Sequence, residues 1–181
     1  MRIRWAEEAD LPRLTEIFNY EVENTTVSFC ITPQTLKERE RWFKAHNREN
    51  RPMIVAEEDG EAVGFACLSE YRVYEAYNAT AELSVYVDHR YRHRGIGEQL
   101  MRRVIELAKQ NGKIHVIISV ITGDNVPSIR LHEKLGFSYG GISHEVGFKF
   151  GAYRDVVYYE YMIENGKKQE TEPEQKNRME G

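Results

Sequence analysis

Residues 81–112 read AELSVYVDHRYRHRGIGEQLMRRVIELAKQNG, and the change of pattern inside this stretch decides the fold. At its start Leu83, Val85 and Val87 alternate with Glu82, Ser84 and Tyr86, the period of two expected of a half-buried strand. Toward its end Leu100, Met101, Val104, Ile105 and Ala108 recur at three and four, which predicts a helix over 97–110, and Gly112 follows where a helix end takes a left-handed residue. Between the two lies Arg92-His93-Arg94-Gly95-Ile96-Gly97. The first N–H groups of a helix lack intrahelical partners and the dipole is positive there, so main chain alone can hold an anion such as a pyrophosphate. A side chain at Gly95 or Gly97 would keep phosphate oxygens off those amides, and Arg90, Arg92 and Arg94 gather positive charge in a chain of net charge −4. The alternative is an ordinary glycine turn with solvated arginines.

Upstream, residues 3–6 predict a first strand, and Asp10 with Pro12 opens a helix carrying Leu11, Leu14, Ile17 and Phe18 on one face. A second helix is expected after Thr32-Pro33, with Leu36, Trp42 and Phe43 as its apolar side and a polar run to Arg51 as its end. Residues 53–57 and 62–68 are strand-like and flank Asp59-Gly60, the dipeptide of a tight hairpin. Downstream, residues 114–121 read as a strand buried on both faces. A short helix over 127–135 closes at Gly136, and strands over 137–146 and 156–163 follow. One α+β domain over 1–163 is predicted. Residues 164–181 are polar with only Met179 apolar, so a disordered tail is expected there.

Composition narrows the function. The chain has 181 residues, 41% of them hydrophobic, enough for one core, and 29 acidic against 25 basic side chains give no general attraction to nucleic acid or anionic lipid. Cys30 and Cys67 fit neither a disulfide framework nor a metal cluster, and the six histidines show no ligand spacing, so no metal is expected. No apolar run approaches the ~18 residues of a membrane span, and MRIRWAEEAD lacks the apolar stretch of a signal peptide; a cytoplasmic protein without a membrane partner is expected.

The glycine loop contains neither the Gly-Lys-Ser/Thr of a P-loop nor a G-x-G-x-x-G, which excludes both nucleotide classes. Its Arg-x-x-Gly-x-Gly, followed downstream by Asn125-Val126-Pro127-Ser128 and by Ile129-Arg130-Leu131-His132-Glu133-Lys134-Leu135-Gly136-Phe137, resembles the acetyl-CoA-binding signature of the GNAT superfamily of N-acetyltransferases. The resemblance implies a mixed, mostly antiparallel central sheet flanked by helices, with a splayed strand pair that admits acetyl-CoA. It implies that Arg92, His93, Arg94, Gly95, Ile96, Gly97 and Glu98 surround the diphosphate, that Asn125 and Ser128 lie along the pantetheine arm, and that main-chain groups of Val85, Tyr86 and Val87 meet the thioester. Gly147-Phe148-Lys149-Phe150-Gly151 and Asp155 are similar to the phosphinothricin and methionine sulfoximine acetyltransferase branch. Phosphinothricin-specific members carry histidine where Phe150 stands, so Phe150 looks more like members acting on methionine sulfone or sulfoximine.

An amine attacks a thioester only as the free base, whereas most amines are protonated at neutral pH. Glu82 occupies the place of the family's general base, and burial would raise its pKa toward a working value; the alternative is a solvent-facing carboxylate. Where many relatives place a tyrosine acid for the leaving thiolate, this chain has His132, either a donor or a packed ring. Tyr71 to Tyr77 is the candidate acceptor wall: Arg72 would pair with a substrate carboxylate, and Tyr74 and Tyr77 would enclose the side chain with Phe150 opposite. The same rings could instead pack in a homodimer. The expectation is acetyl transfer by direct attack to the amine of a small amino-acid-like molecule. Protein or peptide acetylation, and a non-catalytic acetyl-CoA sensor, are the alternatives.

Overall fold

The computed structural model describes residues 1–46 and 50–163; the expected tail and residues 47–49 of the polar run to Arg51 lie outside the described residues. In chain order the elements are β1 (Arg2–Trp5), α1 (Leu11–Asn24), α2 (Leu36–Lys44), β2 (Met53–Glu58), β3 (Glu61–Glu70), β4 (Thr80–Val87), α3 (Ile96–Asn111), β5 (Val116–Thr122), α4 (Val126–Lys134), β6 (Ser138–Lys149) and β7 (Ala152–Met162). They form a seven-stranded sheet ordered β1-β2-β3-β4-β5-β7-β6. Every pairing is antiparallel except β4 with β5, which α3 joins as a crossover.

Two cores lie on opposite faces of the sheet. Leu100, Met101, Val104, Ile105 and Ala108 of α3 pack on Leu83, Ile117 and Ile121. Leu14, Ile17, Phe18 and Val22 of α1 pack on Met53, Val55, Phe65 and Cys67. The strand alternation puts Glu82, Ser84 and Tyr86 on the α1 side, opposite Ser69, Cys67 and Phe65, and Leu83, Val85 and Val87 on the α3 side.

Three expectations move. α2 begins at Leu36 rather than after Thr32-Pro33, because Thr35 and Glu38 form a reciprocal box: the Thr35 hydroxyl accepts from Glu38 N at 3.3 Å and the Glu38 carboxylate accepts from Thr35 N at 2.8 Å. β5 is not buried on both faces throughout, since Val120 is 42% exposed where β4 has left its side. β7 starts at Ala152 because Phe150 and Gly151, at φ 51° and 74°, form a tight turn after Lys149. Asp59-Gly60 makes the expected hairpin, at φ 52° and 83°.

Candidate active site

The site is a gap in the sheet. β4 and β5 pair only from Thr80↔Val116 to Glu82↔Ile118, after which β4 runs on to Val87 and β5 to Thr122 without each other. Asp88 N bonds Val63 O at 2.9 Å, so in this register Tyr86 and Ser84 exchange main-chain bonds with β3. Leu83, Val85 and Val87 therefore turn their main-chain groups toward the gap. Of the three residues expected to meet the thioester by main chain, Tyr86 has its main chain turned to β3, and its ring stacks on Phe65 at 5.1 Å between centroids.

A cleft of about 610 Å³ passes through this gap. On one face it is lined by the start of α3 and by Asn125, Ser128 and His132; on the other by Glu21, Val27, Ser28, Phe29 and Glu82. Two reactants could thus meet at the sheet from opposite sides.

At the α3 end Gly95 is the N-cap in left-handed conformation, φ 74°, and the first intrahelical bond runs from Gln99 N to Gly95 O at 3.1 Å. The N–H groups of Ile96, Gly97 and Glu98 precede that first bond and are left for an anion. A Cβ on Gly97 would meet only Leu131 at 3.6 Å and Val87 at 3.7 Å, so the fold leaves room there and hydrogen keeps the approach to the amides open. The residues present fit a diphosphate held by main chain.

The arginines are otherwise engaged. Arg92 pairs with the buried Glu21 of α1, Arg90 donates to Asp88 at 2.7 Å, and Arg94 lies 3.7 Å from Glu58 and outside the cleft lining. Positive charge expected to be free for phosphate is largely matched by carboxylates, because an unpaired guanidinium beside an acidic α1 would forgo that attraction. The Glu98 carboxylate is held below its usual range by hydrogen bonds from Lys134 at 2.6 Å and Arg102 at 2.8 Å, so only its N–H suits an anion. His93, at φ 63°, lines the cleft. Asn125 caps α4, its side-chain oxygen accepting from Ser128 N at 3.3 Å.

Glu82 is half-buried on the opposite face. Burial pushes its carboxyl above the ordinary carboxylate range, against the opposing pull of the Arg72 charge. His132, expected as either a donor or a packed ring, has the geometry of a packed ring. It is 2% exposed; Nδ1 bonds Ser128 O at 2.8 Å and Nε2 bonds the Ser119 hydroxyl at 2.9 Å. A carbonyl only accepts, so Nδ1 carries the proton and Nε2 receives one from Ser119. Burial also holds the ring below the usual histidine pKa, leaving it neutral with its single proton committed.

The expected acceptor wall is placed outside the cleft lining: Arg72 is exposed, Tyr74 is 69% and Tyr77 41% exposed, and Phe150 is 56% exposed at the β6–β7 turn. In its place the α1–α2 segment supplies Val27, Ser28 and Phe29. The sequence reading missed these, along with Glu21 and Ser119. A signal existed for Glu21, a carboxylate on the same helical stripe as Leu14, Ile17, Phe18 and Val22. Among the described residues no group of three or more metal-ligating side chains could hold an ion, and no helix is long and apolar enough to cross a membrane.

A model of the acetyltransferase (GNAT) family matches residues 14–137. An L-methionine sulfoximine/L-methionine sulfone acetyltransferase of Pseudomonas paraeruginosa is 39% identical over 90% of this chain and 94% of its own. Among solved structures, a ribosomal-protein-alanine N-acetyltransferase of Brucella melitensis aligns with a TM-score of 0.87 at 39% identity over 90% of this chain and 100% of its own. An acetyltransferase of Salmonella typhimurium, solved with its cofactor acetyl-CoA, aligns with a TM-score of 0.87 at 33% identity over 91% of this chain and 95% of its own.

Proposed function

The chain belongs to the acetyltransferase (GNAT) family and is an acetyl-CoA-dependent N-acetyltransferase of small amino-acid substrates, and we propose that its acceptors are methionine sulfone, methionine sulfoximine and their kin. The observation that carries the mechanism is the cleft through the β4–β5 gap, with an anion-binding helix start on one face and Glu82 on the other.

Acetyl-CoA supplies an acetyl group activated as a thioester. The N–H groups of Ile96, Gly97 and Glu98 hold its diphosphate, with Gly95 setting the turn, and Asn125 and Ser128 flank the pantetheine arm. The N–H groups of Val85 and Val87 face the gap, where they oppose charge developing on the thioester oxygen. From the other face Glu82 attracts the substrate ammonium and takes its proton, directly or through a water; the free amine attacks the carbonyl carbon, the C–S bond breaks, and coenzyme A leaves as the thiolate, which takes up the second proton shed by the attacking nitrogen. Its raised pKa makes it a stronger base than an exposed glutamate. His132 acts by holding Ser119 rather than by giving a proton. Arg72, whose charge is felt at Glu82, receives the substrate carboxylate near the cleft mouth.

The exposure of Val73, Tyr74 and Tyr77 supports a homodimer that covers them; the net charge of −4 supports the absence of a nucleic-acid or anionic-membrane partner, and the free cysteines support the cytoplasm. A second reading, acetylation of an alanine of a protein, is favoured by the Brucella melitensis neighbour, a ribosomal-protein-alanine N-acetyltransferase.

Thiol release from acetyl-CoA, measured with methionine sulfone, methionine sulfoximine, phosphinothricin and an alanine-starting peptide, decides between them. Turnover with the sulfone or sulfoximine and none with the peptide is expected; peptide turnover alone overturns the proposal. Gly97→Ala should weaken acetyl-CoA binding with the melting temperature unchanged or raised.

A further inference from the structure

Lys149, the last residue of β6, is 5% exposed and belongs to neither charged surface nor cleft lining. Burying an ammonium is costly, and burial holds this one below the usual lysine pKa. Its Nζ donates to Ser28 O at 2.6 Å, a charge-assisted bond to the main chain of the α1–α2 segment. Strand alternation turns Lys149 inward while Phe148, its neighbour in β6, faces out.

The same segment is fitted to β6 a second time. A Cβ on Gly147 would lie 2.7 Å from Cδ2 and Cζ of Phe29, so the missing side chain is the notch in which that ring sits. A third tie comes from β5, whose Thr122 hydroxyl donates to Thr26 O at 2.7 Å. Val27, Ser28 and Phe29 line the cleft on the Glu82 face, so the position of this wall is set by residues at the ends of β5 and β6.

We propose that Lys149 is a positioning residue, seating the 25–31 segment against the cleft through Ser28 so that the acceptor amine is presented to Glu82. The inference rests on the acetyltransferase reading above. Lys149 does not line the cleft, so its loss should fall on acceptor binding through the 25–31 segment and leave the acetyl-CoA end of the cleft alone.

Three variants of the full chain test this, with methionine sulfone as acceptor. Lys149→Met removes the donor, Lys149→Gln keeps a neutral one, and Gly147→Ala displaces Phe29 without touching a charge. Lys149→Met, by losing a charge-assisted bond, and Gly147→Ala, by displacing the Phe29 ring, should each raise the acceptor KM by about tenfold or more, with the acetyl-CoA Kd within about twofold of wild type. Lys149→Gln should recover part of that loss. Hydrogen exchange of residues 26–30, read without any substrate, should quicken in Lys149→Met and Gly147→Ala while α3 stays protected. If Lys149→Met fails to fold, Lys149→Gln decides, its acceptor KM and its exchange at 26–30 still lying above wild type. An unchanged acceptor KM with unchanged exchange, or an acetyl-CoA Kd that rises as much as the KM, overturns the proposal. Absence of turnover in the wild type with any amino acid would instead refute the substrate reading, and the exchange data would still judge the seat of the segment.

Discussion

Glu82→Gln removes one ionisable oxygen from the acceptor face and changes little else, since the amide has nearly the same shape. General-base catalysis contributes about 10² to 10⁴ in rate, so kcat with methionine sulfone should fall by that factor, about 3 to 5 kcal/mol of barrier. The acetyl-CoA Kd should not move, because the cofactor amides sit on the other side of the sheet. The wild type should show an acid limb in kcat/KM lying above the ordinary glutamate range, since burial outweighs Arg72 there. That limb should be missing in the variant. Stability moves the opposite way. A carboxyl whose folded pKa is raised binds its proton more tightly in the native state, so the stability it contributes is present at low pH and is lost as pH rises through that raised pKa. At neutral pH the ionised Glu82 opposes folding, and Glu82→Gln should melt higher than wild type while the two converge in acid. A persistent acid limb, or parallel loss of acetyl-CoA affinity and turnover, refutes the role given to Glu82.

Arg72→Ala removes the charge that opposes burial at Glu82, so the acid limb should shift to higher pH and the acceptor KM should rise; a limb displaced toward acid would contradict the sign. Gly95→Ala and Gly112→Ala form a matched pair, both left-handed at φ 74° and 71° at the two ends of α3. Each should cost about 1 kcal/mol in urea denaturation, but only Gly95→Ala should weaken acetyl-CoA binding by calorimetry, and equal binding losses would show that helix stability alone is being read. His132→Phe retains a ring against Phe137, 4.9 Å away, while stranding the Ser119 hydroxyl. Destabilisation of about 1 to 3 kcal/mol is expected with the alkaline limb of kcat/KM unchanged, whereas disappearance of that limb would restore His132 as the acid.

Much of the fold was legible because its signals are local. Alternation at 83–87, the three-four repeat at 100–108 and the Asp59-Gly60 turn each depend on a few neighbouring residues, and each formed as expected. The α2 start slipped because Thr32-Pro33 outweighed a better signal three residues on, the Thr35 and Glu38 box. The left-handed glycine cap that opens α3 was also readable, since it depends on one short loop. Charge pairing was not: the partners of Arg92 and Arg90 are Glu21, 71 residues away, and Asp88, whose burial no local pattern disclosed. The 27–29 wall of the cleft was least legible, because it joins the α1–α2 segment to β6 across 121 residues of sequence, as in Lys149 with Ser28. Such a wall exists only after the sheet has formed.

The separation of β4 from β5 also constrains the order of events. An opening with an entrance on either side lets donor and acceptor be present simultaneously, so the enzyme has no need to store the acyl group on itself between visits. Initial-rate plots at several fixed donor concentrations should accordingly intersect rather than run parallel, and no covalently acetylated protein should accumulate when the amine is withheld.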